Sequence, residues 1–146
     1  MKRTAIAYRR RDGTLFVRPL NVMTHGGLRD GSPVHKLEAD ASHERIGLAV
    51  RGALEASHMV EGFPGQLDPS DADLFSLAGV KSWMEFNRRT RRVLIELDDG
   101  NVATIKPFLK IWRGFQSADE PWPSERLSTD ERLGERVREG LDRSTA

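Results

Sequence analysis

The stretch ASHERIGLAVRGALEAS at residues 41–57 predicts an amphipathic helix, and VKSWMEFNRRTRRVLIELDDGNVATIKP at residues 80–107 predicts a block of strands. In the first stretch Ile46, Val50 and Leu54 recur every four residues, so their side chains share one face of a helix. That face must be covered by another apolar surface, and the strand block supplies one. The sequence therefore predicts a helix packed on a sheet.

The strand block predicts a β-hairpin. Residues 81–87 alternate in polarity and are interpreted as a short strand, with Met84 and Phe86 on one side. Val93–Leu97 is a more regular strand, and Asp99-Gly100 is a strong hairpin turn signal before the return strand. The residues expected to form the core between helix and sheet have apolar side chains on inward faces: Ile46, Val50, Leu54, Met84, Phe86 and Ile95.

Both ends of the chain extend this pattern. Residues 4–19 predict a hairpin that turns at Asp12-Gly13, residues 21–33 are glycine-rich and predict a loop, and residues 34–38 predict one more strand. Near the carboxyl end, Ser128–Glu131 fits a capping box, which begins a helix. That helix carries a thin apolar stripe formed by Leu133, Val137 and Leu141.

The two predicted hairpins resemble each other. Residues 12–19 and 99–107 each contain an Asp-Gly turn, a strand, a basic residue and a proline, and the second copy is one residue longer. This favours a duplicated strands-then-helix unit, although turn chemistry alone also produces such pairs. Residues 108–115 are rich in aromatics and are expected to pack across the sheet. The expected fold class is α+β, one domain over residues 1–146, with antiparallel sheet and two packed helices.

The composition is that of an ordinary globular domain without cysteine chemistry. The 146 residues are 38% hydrophobic and 31% charged and include no cysteine, which excludes disulfides and thiolate ligands. No apolar run is long enough for a signal peptide or a membrane span, so we expect a cytoplasmic protein. Residues 1–36 carry a net charge of +6 and residues 37–80 a net of −6. Such blocks can build faces that steer a partner, or they can cancel in three dimensions.

No motif of an enzyme or cofactor site is present in the sequence. There is no nucleophile elbow, P-loop or dinucleotide fingerprint, and the four histidines form no HxH or HExxH pair. His25 and His35 flank a glycine-rich loop and could serve as acid and base, but two surface histidines account for them more simply. We therefore expect no enzyme activity, no cofactor and no metal.

An acidic stretch is the first candidate for binding a partner. Residues 58–79 contain Glu61, Asp68, Asp71 and Asp73 and no Lys or Arg. Prolines and glycines predict a loop here that ends in a short helical turn, so the carboxylates are expected to face solvent. A partner of opposite charge would relieve the repulsion among them.

A basic and aromatic stretch is the second candidate. Trp83 and Trp112 lie among basic residues, an arrangement that can stack bases and hold the phosphates of single-stranded nucleic acid. Two core tryptophans beside a solvated turn would give the same pattern. The basic residues concerned are Lys81, Arg88, Arg89, Arg91, Arg92, Lys110 and Arg113.

The order of these elements resembles the immunity proteins of contact-dependent growth inhibition systems. The resemblance covers about residues 34–115 and depends on structural motifs: Ile46-Gly47, Val50-Arg51, Ala53-Leu54, Ser57, Ser82-Trp83, Phe86, Val93–Leu97 and Val102–Pro107. It implies a protein that neutralises the C-terminal nuclease domain of a toxin encoded beside it. Some members resemble Whirly single-stranded nucleic-acid-binding domains, in which a unit of four antiparallel strands and a helix is duplicated.

The resemblance and the residues together favour a binding protein. The leading interpretation is an immunity protein that occludes a nuclease toxin by direct binding, with Glu61, Asp68, Asp71 and Asp73 as contacts to a basic substrate groove. The alternative is a single-stranded nucleic-acid-binding protein that uses Trp83, Trp112 and the arginines around them.

Overall fold

The computed structural model describes residues 2–62, 70–111, 114–117, 125–126 and 129–145. Within these residues the strands are β1 (Arg3–Arg9), β2 (Leu15–Met23), β3 (Leu28–Asp30), β4 (His35–Leu37), β5 (Met59–Val60), β6 (Arg91–Leu97), β7 (Val102–Ile111), β8 (Gly114–Ser117) and β9 (Glu125–Arg126). The helices are α1 (His43–Ala56), α2 (Asp71–Ala78), α3 (Trp83–Asn87) and α4 (Asp130–Arg143).

The strands form one sheet with β1 near its centre. The hydrogen-bonded order is β3-β2-β1-β6-β7-β8, with β4 and β5 also paired to β2, and β9 to β7. Every pairing is antiparallel except that of β2 with β5. Ala7 of β1 lies between Val17 of β2 and Val93 of β6. The predicted α+β fold with an antiparallel sheet is confirmed, and so are both predicted hairpins.

β1 is buried on both sides because its side chains alternate between two helical layers. Ala5 and Ala7 pack with α1 and α4, whereas Ile6 and Tyr8 pack with α2 and α3. A strand covered on both faces is apolar at nearly every position, and residues 4–8 are all buried. The molecule thus has three layers, with the sheet in the middle.

The layer of α1 and α4 covers the larger apolar core. Ile46, Val50 and Leu54 of α1 are buried against Ile95 and its neighbours in the sheet, as predicted. The apolar stripe predicted for the C-terminal helix lies in the same core, through Leu133, Val137 and Leu141 of α4.

α1 and α4 cross at two glycines. A Cβ placed on Gly47 would lie 1.7 Å from the carbonyl oxygen of Asp130, and one on Gly134 would lie 1.7 Å from that of His43. Each glycine therefore makes room for the backbone of the first residue of the other helix. An ion pair of 2.5 Å between Arg51 and Asp130 closes the same crossing.

The two helices are also built alike. Each has 14 residues and begins at a hydroxyl N-cap, Ser42 or Thr129, whose oxygen accepts a hydrogen bond from the N–H three residues later. Each ends at a serine, Ser57 or Ser144. In the described residues, four strands followed by a helix occur twice, with β5, α2 and α3 between the copies. Aligned from their first residues, the helices and their C-caps share Glu44/Glu131, Arg45/Arg132, Gly47/Gly134, Val50/Val137, Arg51/Arg138, Leu54/Leu141 and Ser57/Ser144.

The turns of the two hairpins match in geometry, but not at the residues that the sequence comparison aligned. Gly13 and Asn101 both have a positive φ, 90° and 61°. Their N–H groups donate to the carbonyls of Arg10 and Asp98, at 2.9 and 3.1 Å. Asn101, and not Gly100, is therefore the equivalent of Gly13, and the apparent extra residue of the second copy disappears.

The prediction of a strand at residues 81–87 is wrong, because this segment contains α3. The hydroxyl of Ser82 accepts a hydrogen bond from the N–H of Glu85 at 3.2 Å, and the Glu85 carboxylate accepts one from the N–H of Lys81 at 3.2 Å. Ser and Glu at this spacing fix a helix start, and this local signal outweighs the alternation of polarity.

The change from strand to helix also moves one predicted core residue to the surface. Trp83 and Phe86, three residues apart on a helix, share the inner face of α3. Met84 therefore projects outward, and it is 78% exposed rather than buried. Phe86 is buried, but in the second core cluster with α2 and not, as predicted, in the core under α1, because α3 covers the opposite face of the sheet.

Three other expectations need correction or lie outside the described residues. The loop predicted at residues 21–33 is shorter, because β2 runs to Met23 and pairs with β3. Residues 108–111 continue β7 instead of crossing the sheet, and residues 112–113 are not described. The C-terminal helix is capped by Thr129, while Ser128 of the predicted capping box lies outside the described residues.

No helix in the described part of the chain is long and apolar enough to cross a membrane.

Candidate functional site

Two of the four predicted acidic contacts, Asp71 and Asp73, lie in α2, which packs on the face of the sheet opposite α1 and α4. Glu61 follows β5 and is exposed, and Asp73 is exposed in the first turn of α2. Asp71 begins α2 and is partly buried. Asp68 lies outside the described residues. Glu61 and Asp73 thus have the exposure that a contact to a partner requires.

Asp71 differs from its neighbours because it holds α2 on the sheet. Its carboxylate accepts a hydrogen bond from Arg18 Nη1 at 3.1 Å and another from Trp83 Nε1 at 3.1 Å. The side chain of Arg18 is 0% exposed, and it also donates to the carbonyl of Gly31 at 3.0 Å and to the hydroxyl of Ser70. The expectation that all these carboxylates face solvent as ordinary loop charges is therefore wrong for Asp71.

Ser70 precedes α2 but does not cap it through its side chain. Its hydroxyl has no cap hydrogen bond, because it lies against the buried guanidinium of Arg18. The helix predicted after Ser70 forms, and it ends at Gly79 in the left-handed conformation with φ 71°. Buried charge pairing, more than capping, fixes where α2 begins.

Trp83 is engaged inside the protein. Its ring meets Phe75 and Phe86 edge-on, at centroid distances of 5.2 and 5.6 Å, and its N–H is donated to Asp71. A base needs an exposed ring face on which to stack. Trp112 lies outside the described residues.

The arginines next to Trp83 in sequence divide into two groups. Arg91 donates to the carbonyls of Asp142 and Ser144 at the end of α4, at 3.0 and 3.1 Å. Arg92 lies 5.2 Å from the centre of the Tyr8 ring, and burial lowers its pKa. Arg88 and Arg89 are exposed instead. The predicted basic and aromatic surface therefore does not come together as one face in the described residues.

A basic cleft occurs elsewhere, between the β1–β2 turn and α3. Its volume is about 780 Å³, and Arg10, Arg11, Arg88 and Arg89 line it together with Met84. A second recess of about 390 Å³ shares Arg10 and Arg11 and reaches the end of α2. We call the first of these the arginine cleft.

The two histidines considered for acid–base chemistry are exposed side chains. His25 lies in the turn between β2 and β3, and His35 begins β4. Among the described residues no group of three or more histidine and carboxylate side chains is arranged to hold a metal ion.

The family of CDI immunity proteins (CdiI) matches residues 5–144. This chain belongs to that family. No curated protein matches the chain.

Two solved structures share the fold of this immunity protein. A protein of unknown function from Neisseria meningitidis has a TM-score of 0.80 and 18% sequence identity, over 99% of this chain and 96% of the other. The CdiA-CT/CdiI toxin and immunity complex from Yersinia pseudotuberculosis includes a chain with a TM-score of 0.73 and 14% identity, over 99% and 98%. The resemblance to immunity proteins noted in the sequence is thus confirmed, and the likeness in structure extends over nearly the whole chain.

Sequence reasoning missed the arginine cleft because it took residues 81–87 for a strand. The Ser82–Glu85 capping pair was the available signal. With α3 recognised, Arg88 and Arg89 would follow a helix end, where Met84 is on the outer side. Nothing in the sequence indicates that Arg10 and Arg11 lie beside α3, since the turn that carries them is more than seventy residues from α3 along the chain.

Proposed function

We propose that this immunity protein neutralises a cognate toxin by direct, stoichiometric binding, and that the toxin's active domain is a nuclease. The membership of the family over residues 5–144 carries this proposal. A nuclease must hold a polyanion, so its substrate groove is basic. An acidic face on the inhibitor would compete for that groove and would speed encounter.

The acidic contacts that we propose are Glu61, Asp68 and Asp73, with Asp71 as the residue that positions Asp73. The exposure of Glu61 and Asp73 supports this assignment. The bonds of Asp71 to Arg18 and Trp83 fix the start of α2, so the carboxylate of Asp73 is presented from a rigid helix rather than from a loop. The inhibition takes place in the cytoplasm and needs no catalytic step.

The test is the association kinetics of the chain with the toxin domain encoded beside it, at low and high salt. Glu61→Lys together with Asp73→Lys should lower the association rate about tenfold at low salt, and the difference should shrink as salt rises. Glu55→Lys is the matched control, because Glu55 is an exposed carboxylate of α1 on the other side of the sheet. Equal rates for all three proteins at low salt would place the interface elsewhere.

The non-enzymatic nature of the protein has its own test. The purified chain should not cleave RNA, DNA or ester substrates. Cleavage that is lost in His25→Ala or His35→Ala would contradict the proposal.

A further inference from the structure

One of the four arginines of the arginine cleft, Arg10, is bonded to the carboxyl end of α3. Arg10 Nη1 donates to the carbonyl of Glu85 at 3.1 Å and also to that of Phe86, and its guanidinium lies 5.2 Å from the centre of the Phe86 ring. A cation at the last carbonyls of a helix is favourable. Arg10 therefore links α3 to the β1–β2 turn, and its side chain lines the cleft.

The other three arginines of the cleft have charges that are not neutralised within the described residues. Arg11, Arg88 and Arg89 are exposed, and none of them forms an ion pair with another described residue. Of the described residues, the carboxylate of Glu85 lines the cleft and that of Asp12 lines the neighbouring recess; both accept hydrogen bonds from backbone N–H groups and form no ion pair with these arginines. Asp12 accepts from the N–H of Thr14, which lowers the pKa of Asp12, and Glu85 accepts from that of Lys81.

Arg89 occupies a backbone conformation that suits glycine. Its φ is 56°, in the left-handed region that a long side chain enters only at a cost in stability. The turn around it is closed by a hydrogen bond of 3.2 Å from the N–H of Thr90 to the carbonyl of Asn87. Arg89 therefore presents an exposed charge from a tight turn whose backbone would suit glycine better.

Met84 adds an apolar element among these charges. It is the most exposed of the large hydrophobic residues that the structure describes, at 78%. Methionine is flexible and polarisable, so it adapts to the partner surfaces it meets. An exposed apolar side chain ringed by cations fits a protein segment that is acidic and partly apolar.

The arginine cleft lies on the same face as the proposed acidic contacts. α2 connects them, since Asp73 lies in its first turn while Leu77 and Ala78 near its end line the recess next to Arg10 and Arg11. Eight helical residues span about 12 Å. In a stable complex one partner buries a patch of roughly 800 Å², which is large enough to include both ends of α2. One face thus has the exposed carboxylate of Asp73 near one end and the arginines of the cleft near the other.

We propose that the arginine cleft is the second half of the toxin interface and receives an acidic segment of the toxin, with an apolar side chain of that segment on Met84. This inference rests on the proposed function. Opposite charges at the two ends of one face admit a partner in one orientation only, which supplies specificity as well as a fast encounter. Nucleic acid fits the cleft less well, because Trp83 is partly buried, packs edge-on with Phe75 and Phe86 and does not line the cleft.

The experiment compares toxin binding by wild type, Arg88→Glu with Arg89→Glu, and Arg45→Glu. Arg45 is an exposed arginine of α1 on the other side of the sheet. The double variant should bind the toxin domain at least about tenfold more weakly, mainly through a slower association rate at low salt. Arg45→Glu should bind as wild type does. Met84→Ala should instead speed dissociation, because it removes only a short-range contact.

Arg89→Gly separates a binding role from a structural one. This variant removes the charge and also relieves the backbone, so its melting temperature should equal or exceed that of wild type while its toxin affinity falls. A variant that melts earlier and binds the toxin unchanged would overturn the proposal.

The remaining outcomes distinguish this inference from the proposed function. If wild type fails to bind the toxin domain, the proposed function itself is wrong. If wild type binds and the double variant binds equally well, only the arginine cleft is excluded. Fluorescence anisotropy with a single-stranded oligonucleotide completes the test: binding that the double variant loses, with toxin affinity unchanged, would overturn the inference in favour of nucleic acid.

Discussion

The two helical layers of this immunity protein cover the same sheet with different chemistry. α1 and α4 pack through apolar side chains and through a close backbone crossing at Gly47 and Gly134. α2 and α3 are short, and they are held by the buried Arg18, by its partner Asp71 and by aromatic edges. The first layer stabilises the fold, and the second presents charged and apolar groups to solvent.

The largest effect should come from the helix crossing. In Gly47→Ala the new methyl group would lie 1.7 Å from the carbonyl oxygen of Asp130, and backbone atoms on both sides cannot yield without separating the helices. We expect a loss of about 5 kcal/mol or more in the free energy of unfolding, at the extreme of single substitutions. Urea denaturation measures it.

Gly52→Ala is the matched control in the same helix. A Cβ at Gly52 would have no atom within 4 Å, so alanine there should stabilise the protein by about 0.5–1 kcal/mol through its helix propensity. Similar stabilities for the two variants would refute the distinction between a packed glycine and a free one.

The second prediction concerns the ion pair that anchors the other layer. Asp71→Ala leaves the guanidinium of Arg18 buried without its nearest carboxylate, at 3.1 Å, and leaves the N–H of Trp83 without its acceptor. Breaking a buried pair on one side costs about 3 kcal/mol or more. Thermal or urea unfolding measures the change.

Asp73→Ala serves as the comparison, since the two carboxylates lie in the same turn of α2. Asp73 is exposed and contributes only the favourable interaction of an acid with a helix start, about 0.5 kcal/mol. If both variants lost the same stability, α2 would not be anchored by Asp71. Toxin-binding studies should for this reason spare Asp71.

The third prediction separates the buried and exposed residues among those expected to form the core. Ile95 is 0% exposed in the sheet, and its truncation to alanine should cost about 2–4 kcal/mol. Met84→Ala should change stability by less than about 0.5 kcal/mol, because this side chain is on the outer side of α3. The melting temperatures of the two variants test this difference. A large fall in melting temperature for Met84→Ala would show that Met84 is buried in the core after all.

Local signals in the sequence were sufficient for the layer of α1 and α4 and for the hairpins. Apolar residues every four positions, a hydroxyl N-cap and an Asp-Gly turn each act within a few residues, so they can be read directly. The shared glycine, valine, arginine and leucine positions of α1 and α4 were also readable, and they relate the two helices more strongly than the hairpins do. The strand predicted in place of α3 shows that capping chemistry must be weighed before alternation.

The way α2 and α3 pack on the sheet could not be predicted, because the residues that hold them there are far apart in the chain. Arg18 meets Asp71 across 53 positions and Arg10 meets Glu85 across 75. Nothing near either arginine in sequence indicates its partner. The charges of Asp71 and Asp73 look equivalent in sequence, and only the fold shows that one is internal and the other is available to a partner.

The smallest effect concerns Tyr8, whose side chain lies under α3 in the second layer. Burial, and next the negative charge of Asp30, raise the pKa of the Tyr8 hydroxyl well above its ordinary value near 10. Above about pH 10 the unfolded chain therefore loses this proton while the folded protein keeps it. The stability that depends on the neutral hydroxyl is complete below pH ~10 and is lost as pH rises toward the folded pKa, by at most about 1.4 kcal/mol per pH unit.

Tyr8→Phe should remove this part of the alkaline destabilisation and keep the edge-on contact with Phe86, whose ring centre is 4.9 Å away. Unfolding free energies of both proteins between about pH 9 and pH 11 give the difference in slope. Tyr8 is the chain's single tyrosine, so the rise of tyrosinate absorbance with pH reports its ionisation without interference. Ionisation near pH 10 in the folded protein would show that water reaches the Tyr8 ring through the layer of α2 and α3. A rise in tyrosinate absorbance that occurs only at higher pH, together with unfolding, would show that this layer excludes water as well as the layer of α1 and α4 does.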